Sequence, residues 1–160
     1  MDAPDWLDAE EQHAWRALAG VMTLLPAALD AQLQRDAGLT HFAYWVLAML
    51  SEAPDRTLVM SELATASRSS LSRLSHAVTR LERQGLVARR KSSSDARVTL
   101  LQLTDAGWQT VVAAAPGHAA TVRALVFDGL SRDEVVALGS VSARLLERLG
   151  TTAWPGPAPA

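Results

Sequence analysis

The 160-residue sequence contains no cysteine, which excludes disulfide bonds, thiolate metal sites and cysteine-based redox sensing. Charged residues make up only 20% of the chain and hydrophobic residues 49%, a balance that supplies a core and argues against disorder. No uninterrupted apolar run approaches the roughly 18 residues of a membrane span. The acidic start MDAPDWLDAEE lacks the basic and apolar segments of a signal peptide. We therefore expect a cytoplasmic protein that does not enter a membrane.

The charges are distributed unevenly along the chain. Residues 56–97 carry nine basic and three acidic residues, an excess of six positive charges, although the net charge of the whole chain is −2. The remainder is correspondingly acidic. A basic central segment in an acidic protein predicts a local anionic partner, and a charged face that contacts only solvent is the alternative.

Hydrophobic periodicity and helix-capping residues predict a mainly helical chain with one β-hairpin. The predicted helices span 6–35, 40–52, 61–67, 69–84, 105–127 and 131–149, and the predicted strands span 86–91 and 98–103. The predicted helix caps are Thr40, Ser61, Thr104 and Ser131, the last in a Ser-x-x-Glu capping box. Pro26 is expected to kink or break the first helix, and Pro116-Gly117 to bend the fifth.

The predicted helix 69–84 has two chemically different faces. The apolar face consists of Leu71, Leu74, Val78 and Leu81. The opposite face, within an arc of about 120° at 100° per residue, consists of Ser69, Ser72, Arg73, His76, Thr79, Arg80 and Arg83. It contains no acid, and arginine, serine and threonine are residue types that bind base edges and phosphates. With the short helix before it, this segment predicts a helix-turn-helix that reads DNA; the alternative is a surface helix with a chance excess of arginine.

The predicted hairpin that follows this helix carries further cations. Arg89, Arg90 and Lys91 end its first strand, and Arg97 starts its second. A hairpin in this position can lie along a duplex like a wing, and an arginine at its tip can enter the minor groove. We expect Asp95 to hold a neighbouring arginine through a charge-assisted hydrogen bond, although an acid that only stabilises the turn is the alternative.

The run SSLSRLSHAVTRLERQGLVARRKSSSDARVTLLQLTDAG resembles the core of the MarR family of bacterial winged helix-turn-helix regulators. The matching features are MSELA (60–64), Arg-Leu-Glu before Gly-Leu-Val (80–87), Arg90, and Asp95-x-Arg97 followed by Leu103-Thr104 and Gly107. The resemblance covers roughly residues 10–150 and includes the order of the helices.

The resemblance implies a mainly α fold with a small β-hairpin wing (α+β), in which a winged helix-turn-helix lobe joins a helical dimerisation lobe. The expected divisions are an N-terminal dimerisation helix at 1–35, the DNA-binding lobe at 36–103 and C-terminal dimerisation helices at 104–150. The Pro/Ala-rich tail 151–160 is predicted to be disordered. The family pattern is an obligate homodimer, and the long apolar-striped helices at both ends of the chain agree with it. Such a dimer would place two recognition helices in successive major grooves of a pseudo-palindrome.

The resemblance also implies roles for individual residues. Arg97 would reach the minor groove, and Ser70, Ser72 and Arg73 would contact bases or phosphates near the start of the recognition helix, Ser70 mainly as a phosphate contact. The predicted DNA-binding residues are therefore Ser69, Ser70, Ser72, Arg73, His76, Thr79, Arg80, Arg83, Arg89, Arg90, Lys91 and Arg97, with Asp95 supporting the wing.

Family members commonly bind small aromatic or anionic effectors between the two lobes, and binding weakens their affinity for DNA. The candidate effector-binding residues are Trp15, Arg16, His41, Tyr44 and Trp45, with Arg16 as a counter-ion. The alternative is that these aromatic side chains belong to the core and that His41 lies at the surface. We expect no cofactor and no metal ion, because the four histidines are scattered and show no metal-binding spacing.

These features favour a sequence-specific, DNA-binding transcriptional regulator, most often a repressor in this family. The alternative is a winged-helix module that binds proteins and has lost DNA binding, but the one-sign face of helix 69–84 and Arg97 argue against it. An enzyme is not expected, because the sequence has no Gly-rich phosphate loop, nucleophile motif or plausible carboxylate pair.

Overall fold

The computed structural model describes residues 6–92, 95 and 97–151, and these form a mainly helical chain with a small antiparallel sheet. The elements in chain order are α1 (Ala9–Ala37), α2 (His41–Glu52), β1 (Thr57–Val59), α3 (Met60–Ala66), α4 (Leu71–Arg83), β2 (Val87–Lys91), β3 (Thr99–Leu103), α5 (Asp105–Val122) and α6 (Arg132–Arg148). The predicted fold class is confirmed. The predicted disordered tail lies almost wholly outside the described residues.

Local capping explains where most of the helices begin. Thr40, Thr104 and Ser131 accept hydrogen bonds from backbone N–H groups three residues later, and Ser131 forms the predicted capping box with Glu134. The prediction for Ser61 is wrong. The chain passes directly from β1 into α3, so Val59 precedes the helix and Ser61 lies inside its first turn.

The start of α4 also differs from the prediction. Ser70 is the N-cap and its Oγ accepts a hydrogen bond from the backbone N–H of Arg73, so Ser69 lies before the helix. Leu71 was assigned to the buried face, but it is 56% exposed, and Ala77 takes a buried position instead. The buried side of α4 is therefore rotated toward Ala77.

The two prolines do not interrupt the long helices. Pro26 lies inside α1 and Pro116 inside α5, and both helices continue past them, so the break considered at Pro26 does not occur. The irregularity lies further along, where Arg123–Phe127 forms a π-helical turn after α5. By length and composition alone, Asp105–Phe127 is apolar enough to cross a membrane, which is weak evidence of a span.

The sheet contains a strand that the sequence pattern does not indicate. β1 pairs antiparallel with β3 (Leu58 opposite Leu101), and β2 pairs with the other edge of β3, which gives the order β1-β3-β2. Three residues are too few for a period-2 alternation to be recognised. The predicted hairpin of β2 and β3 is present. Its second strand, β3, also pairs with β1, the segment that leads directly into α3.

One core joins α3, α4 and the sheet to the long helices. Its fully buried side chains come from α1, α2, α3, α4 and β3: Leu33, Leu47, Leu50, Leu63, Leu74, Leu81 and Leu101. Tyr44 and Val111 extend this core toward α5. The orientation of α4 relative to α2 is thus set by close packing.

The outer parts of the long helices are apolar and exposed in the single chain. No residue of α6 is buried, although the structure describes this helix in full. The exposed apolar residues of these segments include Trp15, Leu18, Met22, Val112, Leu125, Phe127, Val136, Leu138, Val141 and Leu145. Monomeric proteins rarely expose so many large apolar side chains on neighbouring segments.

Gly107→Ala is expected to lower the free energy of unfolding by about 1–3 kcal/mol, because the first turn of α5 packs against the backbone of the turn between α4 and β2. An added Cβ would meet the carbonyl oxygen of Leu86 and lie 2.6 Å from Cδ1 of Leu103. That carbonyl cannot easily move, since it accepts a 3.1 Å hydrogen bond from the backbone N–H of Thr104. Urea unfolding of both proteins measures the difference.

The matched control is Gly139→Ala in α6. A Cβ at that position meets no atom of the described residues within 4 Å. We expect stability to stay the same or to rise by about 0.5–1 kcal/mol, since alanine favours a helix interior over glycine. Equal losses in the two variants would contradict the steric argument.

Candidate nucleic-acid interface

The helix-turn-helix is formed by α3, residues 67–70 and α4. Arg68 adopts a left-handed backbone conformation (φ 50°) that turns the chain between the helices. The backbone N–H of Ser69 donates to the carbonyl of Ala64, and the Ser67 and Ser69 hydroxyls lie 3.0 Å apart. Ser69, a predicted DNA contact, is thus half-buried in the connection. Ser70 is exposed at the helix start, with its Oγ accepting from the first turn of α4.

The exposed face of α4 carries cations and no acid. The predicted contacts that lie exposed on it are Ser72, Arg73, His76, Arg80 and Arg83. Glu82 is on a different side of the helix and accepts hydrogen bonds from the wing. Three of these five side chains are arginines and one is a histidine, and these four follow successive turns of one helix. Such a surface attracts a polyanion.

Arg89 connects the wing to α4 instead of extending into solvent. Its guanidinium lies 3.0 Å from the Glu82 carboxylate and donates to the carbonyl of Ser75 at 2.9 Å and to Oγ1 of Thr79 at 3.0 Å. The side chain is 28% exposed. Arg89 and Thr79 were both predicted to touch DNA, and the structure places them in this internal network. They fix the angle between β2 and α4.

The other predicted wing residues are more accessible. Arg90 and Lys91 are exposed at the end of β2, and Lys91 Nζ lies 3.4 Å from Oγ1 of Thr99. Arg97 is 92% exposed and lies 3.3 Å from the Asp95 carboxylate. Ser93, Ser94 and Ala96 of the predicted tip lie outside the described residues.

The predicted contact between Asp95 and a neighbouring arginine is present. The Asp95 carboxylate accepts from the backbone N–H of Arg97 at 2.9 Å and from its guanidinium. These hydrogen bonds hold the pKa of Asp95 below its usual value, and the bond from the backbone N–H has the larger effect. The carboxylate therefore remains charged at neutral pH and orients Arg97 at the base of the tip.

An open cavity of about 1090 Å³ separates α4 from α1 and α2. The residues that line it include Asp30 of α1, His41, Phe42 and Trp45 of α2, and Arg73, His76 and Arg80 of α4. On its wall the Arg73 guanidinium lies over the Phe42 ring, 4.4 Å from the ring centroid. The cationic face of α4 is thus also one wall of the cavity.

Behind this cavity an aromatic cluster joins α2 to α5. The His118 ring lies 4.7 Å from the ring of Tyr44 and 5.7 Å from that of His41 (centroid to centroid). Burial lowers the pKa of His41, an effect that the Asp30 carboxylate partly offsets. Burial also lowers the pKa of His118, and the nearby His41 lowers it further. Both imidazoles are therefore neutral at pH 7.

The five predicted effector-binding residues are not all brought together. Among the described residues, His41 and Trp45 line the cavity. Tyr44 is buried and packs against His118, so its ring lies in the core. Trp15 and Arg16 lie near the N-terminus of α1, where Arg16 donates to Gln12 and Trp15 is exposed with the apolar surface.

Sequence reasoning did not find three residues of this site. Phe42 and Asp30 line the cavity, and Ser75 accepts a hydrogen bond from Arg89. Each contacts a residue of another element: Ser75 is 14 residues from Arg89, Phe42 is 31 residues from Arg73, and Asp30 accepts from the backbone N–H of His41, 11 residues away. Neither spacing nor residue type indicates such pairs.

Comparisons with known proteins agree on one family. Residues 37–98 match the MarR family. Sco3205, a MarR family transcriptional regulator from Streptomyces coelicolor with a crystal structure in complex with DNA, is 46% identical, with a TM-score of 0.89 over 93% of each chain. AbsC, a MarR family transcriptional regulator from the same organism, is 40% identical, with a TM-score of 0.86 over 90% of this chain and 97% of AbsC.

A similarity to a curated repressor is weaker. The HTH-type transcriptional repressor YetL from Bacillus subtilis (strain 168) is 30% identical over 112 residues, which cover 70% of this chain and 66% of YetL. The chain spans 54% and 66% of the length of curated relatives that it matches.

Proposed function

Because the chain belongs to the MarR family of transcriptional regulators, we propose that it is a homodimeric repressor that binds a pseudo-palindromic DNA site and is released by a small aromatic or anionic effector. The family consists of transcription regulators, which confirms the expectation that this chain is not an enzyme. The repressor role is supported by the similarity to YetL, an HTH-type transcriptional repressor. Repression would take place in the cytoplasm, where the DNA is.

The exposed, acid-free face of α4 is the observation that carries this proposal. Arg73 lies in the first turn, where a recognition helix contacts base edges, and Arg80 and Arg83 lie further along, where phosphates are reached. On the wing, Arg90, Lys91 and Arg97 would contact the backbone and the minor groove. Ser70, Ser72 and His76 complete the contact surface. Ser69, Thr79 and Arg89 would support it through the connection and the network behind α4.

The apolar surface of α1, α5 and α6 supports a dimer. Within the described residues, α6 has no buried side chain, so its apolar face lacks a packing partner in its own chain. A two-fold interface would bury these faces and hold two copies of α4 at a fixed spacing. In this arrangement 1–35 and 104–150 are the dimerisation lobe and 36–103 is the DNA-binding lobe.

Selection of bound fragments from genomic DNA by the purified protein, at two salt concentrations, tests the function. We expect enrichment of a short inverted repeat that survives the higher salt, since base contacts are less sensitive to salt than phosphate contacts. If only weak binding without a preferred sequence is found and it is lost at higher salt, the winged-helix interaction module becomes the better description.

The cavity between α4 and α2 supports the effector. Arg73 and Arg80 provide positive charge, and Phe42 and Trp45 provide aromatic surface, which together suit a small aromatic acid. We expect such a ligand, tested as a panel of benzoate derivatives, to quench tryptophan fluorescence and to lower affinity for the selected fragment. Trp45→Phe, which retains four of the five tryptophans, should remove the quenching. Unchanged fluorescence and unchanged DNA affinity across the panel would contradict the proposal.

A further inference from the structure

The contact between Phe42 and Arg73 joins α2 to the first turn of the recognition helix. We propose that Phe42 is a positioning residue for DNA recognition, whose ring holds the Arg73 guanidinium in the orientation that reads a base. This inference rests on the proposed function of α4. It adds a residue that does not itself lie on the DNA-facing surface and that determines specificity through its neighbour.

The geometry separates a fixed partner from a movable one. Phe42 is half-buried and packs against the core through α2, whereas Arg73 is exposed. The guanidinium carbon lies 4.4 Å from the centroid of the ring, within the range of a cation–π contact. Ser70 Oγ accepts from the backbone N–H of Arg73 and fixes the first turn. Arg73 is therefore held at two points: Ser70 fixes its backbone and Phe42 its guanidinium.

A stacked guanidinium remains able to form hydrogen bonds. Its N–H groups lie in the plane of the group, so a ring against one face leaves the edge free to donate to a guanine or a phosphate. A carboxylate would instead occupy that edge. Within the described part of the chain no carboxylate forms an ion pair with Arg73, in contrast to Arg56, Arg89 and Arg97. The ring restricts the rotamers of Arg73 without using its donors.

The alternative is that the contact between Phe42 and Arg73 lowers the affinity for DNA. If the ring instead held Arg73 away from DNA, the contact would have to break on binding, and removing the ring would raise affinity. The two cases predict effects of opposite direction on the same measurement.

The experiment uses the full chain and a double-mutant cycle. Phe42→Leu keeps an apolar side chain but removes the π face, and Phe42→Tyr keeps the face. Fluorescence anisotropy gives the affinity of each variant, of Arg73→Ala and of Phe42→Leu/Arg73→Ala for three duplexes. These are the selected operator, the operator changed at the base pair most sensitive to Arg73→Ala, and a random sequence of equal length.

We expect Phe42→Leu to weaken operator binding about 2- to 5-fold, to reduce discrimination against the changed base pair and to leave binding to random DNA unchanged. Phe42→Tyr should restore wild-type affinity and discrimination. In the Arg73→Ala background, Phe42→Leu should have no further effect, because the group on which it acts is absent. Thermal unfolding confirms that each variant folds.

Trp108→Leu is the matched control, since the Trp108 ring also carries an arginine, the Arg56 guanidinium 4.3 Å from its centroid, but neither residue belongs to α4 or lines the cavity. It should not change discrimination at the Arg73-sensitive base pair. The inference is overturned if Phe42→Leu binds the operator more tightly or leaves discrimination unchanged. It is also overturned if Phe42→Tyr does not restore affinity and discrimination, or if the losses from Phe42→Leu and Arg73→Ala are additive. Absence of any operator preference in the wild-type protein would instead overturn the proposed function.

Discussion

Leu145→Asp is expected to convert the proposed dimer to monomers and to weaken operator binding by about 100- to 10,000-fold, the range over which linking two binding sites raises affinity. Leu145 is exposed in the single chain and shares one face of α6 with Leu138 and Val141. A carboxylate on this face would have to be buried without a partner in the dimer, which costs several kcal/mol for each subunit. The monomer would retain one recognition helix and lose the second half-site.

Ser140→Asp is the matched control, because it adds the same charge to the same helix on the side that faces away from Leu138 and Leu145. Light scattering gives the molecular mass of each variant, and anisotropy gives its affinity for the operator. The control should retain the dimer mass and operator affinity. If Leu145→Asp remains a dimer, α6 is not part of the interface. If it becomes a monomer and retains operator affinity, one lobe is sufficient for recognition.

The starts of α2, α5 and α6 were predictable because capping is local. Ser131 and Glu134 are three residues apart, and their reciprocal hydrogen bonds require nothing from the rest of the chain. The same is true of Thr40 and Thr104, which cap α2 and α5. Ser61 is also a hydroxyl residue near a helix start and is not a cap, because β1 is held by β3 and leads directly into α3, so that Val59, two residues before Ser61, takes the capping position. A distant strand overrides the local preference there.

The burial error at Leu71 has a related cause. The wheel of 69–84 places Leu71 at the edge of the apolar face, and periodicity assigns edges poorly. In the structure the core lies nearer Ala77, which is small enough for α4 to approach the neighbouring helices, so the edge that contains Leu71 turns outward. Which edge of an amphipathic helix is buried depends on the size of the side chains opposite it.

The candidate site shows the same division. The polar face of α4 follows from residue type and a period of 3.6, so its exposed cations were predictable. The roles of Arg89 and Phe42 were not, since each depends on a partner in another element. A run such as Arg89-Arg90-Lys91 gives three equal cations, yet alternation along β2 turns Arg89 toward α4 and leaves Arg90 exposed.

Arg73→Ala is expected to weaken operator binding by about 1–3 kcal/mol, roughly 5- to 150-fold, and to relax the preference for one base pair. Arg73 is in the first turn of α4, which is where recognition helices contact base edges, and its N–H groups are not taken by a carboxylate of the described residues. Competition with operators changed one base pair at a time measures the preference.

Arg83→Ala removes the same charge from the last turn of the same exposed face, so it separates base reading from electrostatic attraction. We expect it to weaken operator and random DNA alike and to reduce the salt dependence by about one phosphate contact. Arg73→Ala should weaken binding to the operator alone, because a lost base contact has no counterpart on random DNA. Equal losses for Arg73→Ala on both duplexes would make Arg73 a phosphate contact, and specificity would then have to come from Ser72, His76 or the wing.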